Sequence, residues 1–178
     1  MSACEQTRGL TILEHGEQVA QKYKDLLAGS TAGWKLPDWF IKHSAELFKL
    51  APSPEVMEQY HIYHDCGKSY VRTVDAEGRQ HFPNHAQVSA SIWRVHGGSE
   101  QIAQLMQHDM DMHLLKPAEA ASYGRLDLVP ALLLTALSEI HANADMFGGI
   151  ESTSFKIKWK CLSKVGNNLI PLILKEQS

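Results

Sequence analysis

The sequence predicts an all-α protein, a single-domain helical bundle. Three features point to it. Apolar residues recur at helical spacing through most of the chain, start and stop signals separate these runs, and only one short segment alternates as a strand does. At 178 residues the chain is long enough to bury a core as one domain.

Leu10, Ile12, Leu13, Val19, Ala20, Tyr23, Leu26 and Leu27 predict a first helix over residues 10–28. It carries His15 and Gly16, and the turn Gly29-Ser30-Thr31-Ala32-Gly33 ends it. Pro37 suits the first turn of a second helix, continued by Trp39, Phe40, Ile41, Ala45, Leu47, Phe48 and Leu50. Ala51-Pro52-Ser53-Pro54-Glu55 reads as a stop and a restart, with Ser53 as N-cap and Pro54 as the first helical residue. The third helix then runs into His64.

Residues 66–84 lack apolar periodicity and contain Gly67, Gly78, Pro83 and Asn84. A loop is expected there, with a short hairpin near Asp75-Ala76-Glu77-Gly78. A fourth helix is expected from His85 to Val95, closed by Gly97-Gly98. Ser99 caps a fifth, from Glu100 to about His108. Residues 110–127 read as a loop with one helical piece at Pro117 to Ser122. Pro130 opens a long helix to Asp145 or Phe147, ended by Gly148-Gly149. In the tail, Phe155, Ile157, Trp159 and Cys161 alternate with lysines, while Phe155, Trp159, Leu162 and Val165 form an equally good helical face. In an otherwise helical chain a helix is expected. The domain core spans about 10–148, and 149–178 is a C-terminal helical extension. The tail lysines fit a solvated face, or a patch for a phosphate-bearing ligand.

The net charge of −3 gives no global pull toward nucleic acid or an anionic membrane. The longest apolar stretch, Leu128 to Leu137, is too short to cross a bilayer, so no membrane partner is expected. The first residues lack the apolar core of a signal peptide. Cys4, Cys66 and Cys161 show no paired spacing and fit free thiols. A cytoplasmic location is the expectation, and the oligomeric state stays open.

Tyr60-His61-Ile62-Tyr63-His64-Asp65-Cys66-Gly67-Lys68-Ser69 concentrates the chemistry. Adjacent helical residues point about 100° apart, but at a helix end both can turn toward one target. An imidazole nitrogen beside a carboxylate oxygen is a transition-metal ligand set. Further His and Asp residues recur at predicted helix ends or faces: His15, His85, His108-Asp109, and His141-Ala142-Asn143-Ala144-Asp145. Taken singly, each has a structural explanation, such as a satisfied core histidine or a polar helix end. His141 and Asp145 are four apart and would share a helix face.

This ordered set resembles the HD-domain metal-dependent phosphohydrolases, in which a His, a His-Asp step, optional histidines and a distant Asp converge on a helical bundle. Leu13-Glu14-His15-Gly16-Glu17-Gln18-Val19-Ala20 looks like the first element, and His64-Asp65-Cys66-Gly67-Lys68 like the second. His85 and His108 look like the optional histidines, and Asp145 like the closing carboxylate. The resemblance implies that His15, His64, Asp65 and Asp145 bind one divalent ion (Mn, Fe, Co, Ni, Zn or Mg). It implies that Asp65 bridges to a second ion held by His85 and His108. His43, His81 and His113 compete for these places.

By the same resemblance the protein hydrolyses a small phosphorylated substrate, a nucleotide or an RNA end, with Asp65 at the centre. Lys68 and Arg72 are placed to neutralise phosphate oxygens, or are simply loop cations. Asp109 would carry a proton or orient His108. Two other functions fit the pattern: a di-iron oxygenase on the same scaffold, and a binding module without catalysis.

Overall fold

The computed structural model describes residues 1–7 and 9–175. It is mostly helical, as the sequence predicts. A small hairpin pairs β1 (Glu5–Thr7) with β2 (Leu10–Thr11) and leads into α1 (Ile12–Leu27). Then come α2 (Asp38–Leu50), α3 (Pro54–Tyr63) and the short α4 (Lys68–Val71). A second hairpin pairs β3 (Thr73–Val74) with β4 (Gln80–His81). It is followed by α5 (His85–Val95), α6 (Glu100–Gln107), the short α7 (Asp111–Leu114) and 3-10 turns at Pro117–Ser122 and Leu126–Leu128. The chain finishes with α8 (Val129–Ala142) and α9 (Thr153–Lys175). No helix among the described residues is long and apolar enough to cross a membrane.

Two compact units emerge. The first comprises Met1–Ala20 with Ser53–Met110, and the second Gln21–Pro52 with Asp111–Ser178. In the first unit, Ser53 caps α3 by accepting from the Val56 N–H at 3.5 Å, with Pro54 filling the position where no donor is needed. Met57, Tyr60 and His61 form the buried face of α3, which packs on α6. The α5–α6 turn uses Gly97 at φ +77°, a conformation that disfavours any side chain. Ser99 restarts the helix by accepting from the Ile102 N–H at 3.4 Å.

The second unit is built around α8, which is buried on every side from Val129 to His141. A helix apolar all round belongs in a core, and α2, α7 and α9 pack against it. The tail resolves as a helix because Phe155 is fully buried while Ile157 is 64% exposed. A strand with alternating faces would have buried both on one side. Gly166 lies flat against the Trp39 indole, where a Cβ would collide.

Four short elements went unread in the sequence: α4, α7, the 3-10 turn at Leu126–Leu128 and the N-terminal hairpin. Helices of four residues and strands of two or three are too brief to show a period. The α8 helix also stops at Ala142, earlier than expected. Asn143 caps it, and residues 143–149 continue as hydrogen-bonded turns, with Gly149 N–H donating to Ala144 O at 2.8 Å.

His141 is 6% exposed at the end of α8. Its Nδ1–H donates to Leu137 O at 2.8 Å, and its Nε2 accepts from the Lys35 N–H at 3.2 Å. The ring stacks on Trp34 with centroids 4.2 Å apart. Burial is the main reason its pKa falls to about 4; the Leu137 carbonyl opposes the fall and the Lys22 charge assists it. In the unfolded chain the group titrates near 6.5. Between these values the unfolded state binds a proton that the folded state refuses, so stability drops as pH falls through that window. The drop is complete once pH is below the folded value, and amounts to about 3 kcal/mol. Urea midpoints at pH of about 7, 5.5 and 4 measure it. Wild type should lose more stability across that range than His141→Phe, in which the proton-binding group is gone.

Candidate metal centre

The α3 helix ends at Tyr63, and its chain continues in tight turns, with Cys66 N–H donating to Tyr63 O and Lys68 N–H to Asp65 O. Those turns place His64 and Asp65 side by side in the interior of the first unit, 0% and 1% exposed. His64 Nδ1–H donates to His61 O at 2.7 Å. A carbonyl only accepts, so the proton is on Nδ1 and the Nε2 lone pair is left facing Asp65 Oδ2 at 3.3 Å. The α1 helix supplies His15, also fully buried, with Nε2 at 3.7 Å from the same oxygen.

At the start of α5, His85 repeats the pattern. Its Nδ1–H donates to Phe82 O at 2.9 Å, and its Nε2 lies 3.4 Å from Asp65 Oδ1. Asp109, just past α6 and 4% exposed, completes the cluster and accepts a short hydrogen bond from the Tyr60 hydroxyl. Lys68 Nζ donates to Asp65 Oδ2 at 2.6 Å and to Gln6 Oε1 at 2.9 Å.

Two glycines permit this convergence. A Cβ on Gly16 would strike the carbonyls of His61 and Ile62, so α1 approaches the last turn of α3 only because that position is bare. A Cβ on Gly67 would sit 2.5 Å from both His85 O and Ser89 N. Gly67 N–H instead donates to the Ser89 hydroxyl at 2.8 Å, which docks the His64-Asp65 turn on α5.

The donor atoms form two overlapping groups that share Asp65. One is His15, His64 and Asp65; the other is Asp65, His85 and Asp109. Within each group the ligand atoms lie within 4.8 Å of one another. The separations around Asp65 of 3.3, 3.4 and 3.7 Å exceed a normal N–H···O hydrogen bond. Ligands about 2.1 Å from one ion lie about 3.0–3.4 Å apart in octahedral or tetrahedral arrangements. Asp65 Oδ1 and His85 Nε2 are buried and make no hydrogen bond among the described residues. Leaving such atoms unsatisfied is costly, and a cation between them removes that cost. The residues present therefore fit a bound metal ion. Burial by itself would push the Asp65 carboxyl up. Without an ion, positive charge on His64 and Lys68, with His15, outweighs it and holds the group well below the usual carboxylate range; a cation bound between the ligands takes over the part of the imidazole charges and leaves the imidazoles neutral. Asp65 is thus ionised, which is its ligand form.

Of the residues the sequence singled out, His15, His64, Asp65, Lys68 and His85 come together. His108 does not join either group; it caps α6 with φ −103° and ψ 7°, and its neighbour Asp109 supplies the ligand atom instead. Asp145 is exposed in the turns beyond α8 and belongs to no convergent group among the described residues. The early end of α8 removes the shared helix face expected for His141 and Asp145. Arg72 is exposed, with Nε donating to Gln80 Oε1 at 2.6 Å. His43 sits at a kink in α2, with φ −130°. His81 bonds Asp75 at 2.9 Å, and His113 bonds Glu139 at 2.5 Å. Sequence reasoning missed the Tyr60 contact to Asp109, for which no local pattern exists. No family model, curated protein or solved structure matches the chain.

Gly67→Ala should destabilise the protein by about 2 kcal/mol or more, because a methyl group has to displace backbone rather than a flexible side chain. Urea denaturation reads the loss directly; a change below about 0.5 kcal/mol would mean that the turn is not pinned there.

Proposed function

We propose that the cluster around Asp65 is a divalent metal centre and that the protein uses it to hydrolyse phosphate esters. The observation that carries the reading is a buried carboxylate with imidazole nitrogens at both of its oxygens, one oxygen making no hydrogen bond among the described residues. His15, His64 and Asp65 would hold one ion. Asp65, His85 and Asp109 form a second ligand set that would hold another. Imidazole with carboxylate suits Mn, Fe, Co, Ni or Zn better than Ca.

Charge favours an anionic substrate. With neutral imidazoles, Asp65 and Asp109 contribute two negative charges and Lys68 one positive, so a single divalent ion turns the cluster net positive. A bound ion there supplies Lewis acidity toward a phosphoryl oxygen and lowers the pKa of water. The protein's own residues do the rest. His61 O and Phe82 O fix the tautomers of His64 and His85. Tyr60 orients Asp109. Lys68 holds Asp65 and adds positive charge beside it. The His85 and Lys68 side chains are 12% and 13% exposed, while those of His15, His64 and Asp65 are at most 2% exposed. Substrate is therefore expected to approach on the His85–Lys68 side. The likeness of the His and Asp order to HD-domain phosphohydrolases supports a nucleotide or RNA-end phosphate as the substrate class.

Metal analysis of the purified protein should find one or two transition-metal ions per chain, and phosphate release from a panel of nucleotides and 3′-end phosphates should require them. Asp65→Asn should lose the metal and at least about 100-fold in turnover, as expected when a Lewis acid and its charge are removed. Metal-loaded, folded protein that turns over no phosphate ester would overturn the hydrolase reading. The sharing of Asp65 between two ligand sets also suits a di-iron oxygenase; two bound irons with oxygen consumption would establish that reading in its place. A folded protein without stoichiometric metal would indicate a module that binds without catalysis.

A further inference from the structure

We infer that the second unit carries a binding pocket for a small organic anion with an apolar body. A cavity of about 750 Å³ there falls in the size range of small-molecule sites. None of its lining residues is a ligand of the metal cluster. Trp34, Leu36, Ile41 and Trp159 form the apolar wall, and Lys35, Lys156 and Lys160 add charge.

The pocket is shaped in advance. Trp34 is backed by His141, stacked at 4.2 Å with an interplanar angle of 12°. Lys35 is fixed at both ends of its backbone unit, its N–H donating to His141 Nε2 and its carbonyl accepting from the Trp159 indole N–H at 2.7 Å. Trp159 is thereby anchored by its polar edge, and its hydrocarbon surface remains for a ligand. Ile41, 64% exposed, is a large apolar side chain left at the surface without cover. Residues 156, 159 and 160 lie on one face of α9, so helical geometry sets both lysines on the same side of the helix as the indole.

The lysines are not all neutralised. Lys35 and Lys156 share one carboxylate, Glu151, at 2.8 and 2.9 Å. Lys160 makes no ion pair among the described residues. Three cations against one anion leave the pocket net positive beside an apolar wall. A carboxylate, sulfonate or phosphate on an aromatic or aliphatic body matches both features, and a neutral body matches only one.

The test uses anilinonaphthalene sulfonate and phenylnaphthylamine, which share a ring system but differ in the anionic group. The sulfonate should bind the full chain saturably, one per chain, and at least about tenfold more tightly than the neutral probe. Lys160→Glu, a change at an exposed position, should weaken the sulfonate at least about tenfold and leave the neutral probe unchanged. In proton–nitrogen correlation spectra the Trp159 indole N–H should shift on titration. Equal affinity for both probes, no effect of Lys160→Glu, or shifts confined to residues outside the pocket would overturn the assignment. The readout needs no catalytic activity, so it stands apart from the fate of the hydrolase reading.

Discussion

A buried carboxylate governs the first unit. Asp65 is 1% exposed, and no apolar environment accepts an ionised group at that depth without compensation. Lys68 from α4 compensates it directly, and His64 from the same turn, His15 from α1 and His85 from α5 do so through a cation held between them and the carboxylate. Each partner sits on a different element, so the carboxylate ties the elements of this unit to one point. The cluster is consequently a feature of the fold as well as of its chemistry.

Close approach of backbones makes that arrangement possible. Gly16 and Gly67 stand where α1 and the His64-Asp65 turn meet their neighbours, and both positions lack room for a single carbon. Orientation is then fixed by hydrogen bonds outside the cluster. The carbonyls of His61 and Phe82 take the Nδ1 protons, which directs both Nε2 lone pairs inward. A preorganised donor set of this kind binds without rearranging, which raises affinity for an ion of matching size.

Much of this was legible in the sequence, for local reasons. Ser53 and Ser99 act as the helix caps their positions announce, and Pro54 occupies the first turn. Apolar spacing located α1, α2 and α9, and the Gly97-Gly98 stop and the Ser99 cap located α5 and α6. His15, His64, Asp65 and His85 could be singled out because His and Asp recur in order at predicted helix ends or faces, with a glycine after the His64-Asp65 step. The choice between His108 and Asp109 was not legible, since adjacent residues leave a helix end in directions that only the observed φ and ψ determine. The end of α8 was read too late because nothing local marks Ala142 as its last residue; the helix yields to turns stabilised by backbone bonds around Ala144. The contact between Tyr60 and Asp109 is 49 positions apart in sequence, and no periodicity reports it.

Anomalous diffraction at a transition-metal edge, from crystals of the protein as purified, bears most directly on the role assigned to Asp65. The account predicts a strong peak within bonding distance of an Asp65 oxygen and the Nε2 atoms of His15 and His64. Asp65 surrounded only by hydrogen-bond donors, with no anomalous signal beside it, would contradict the account.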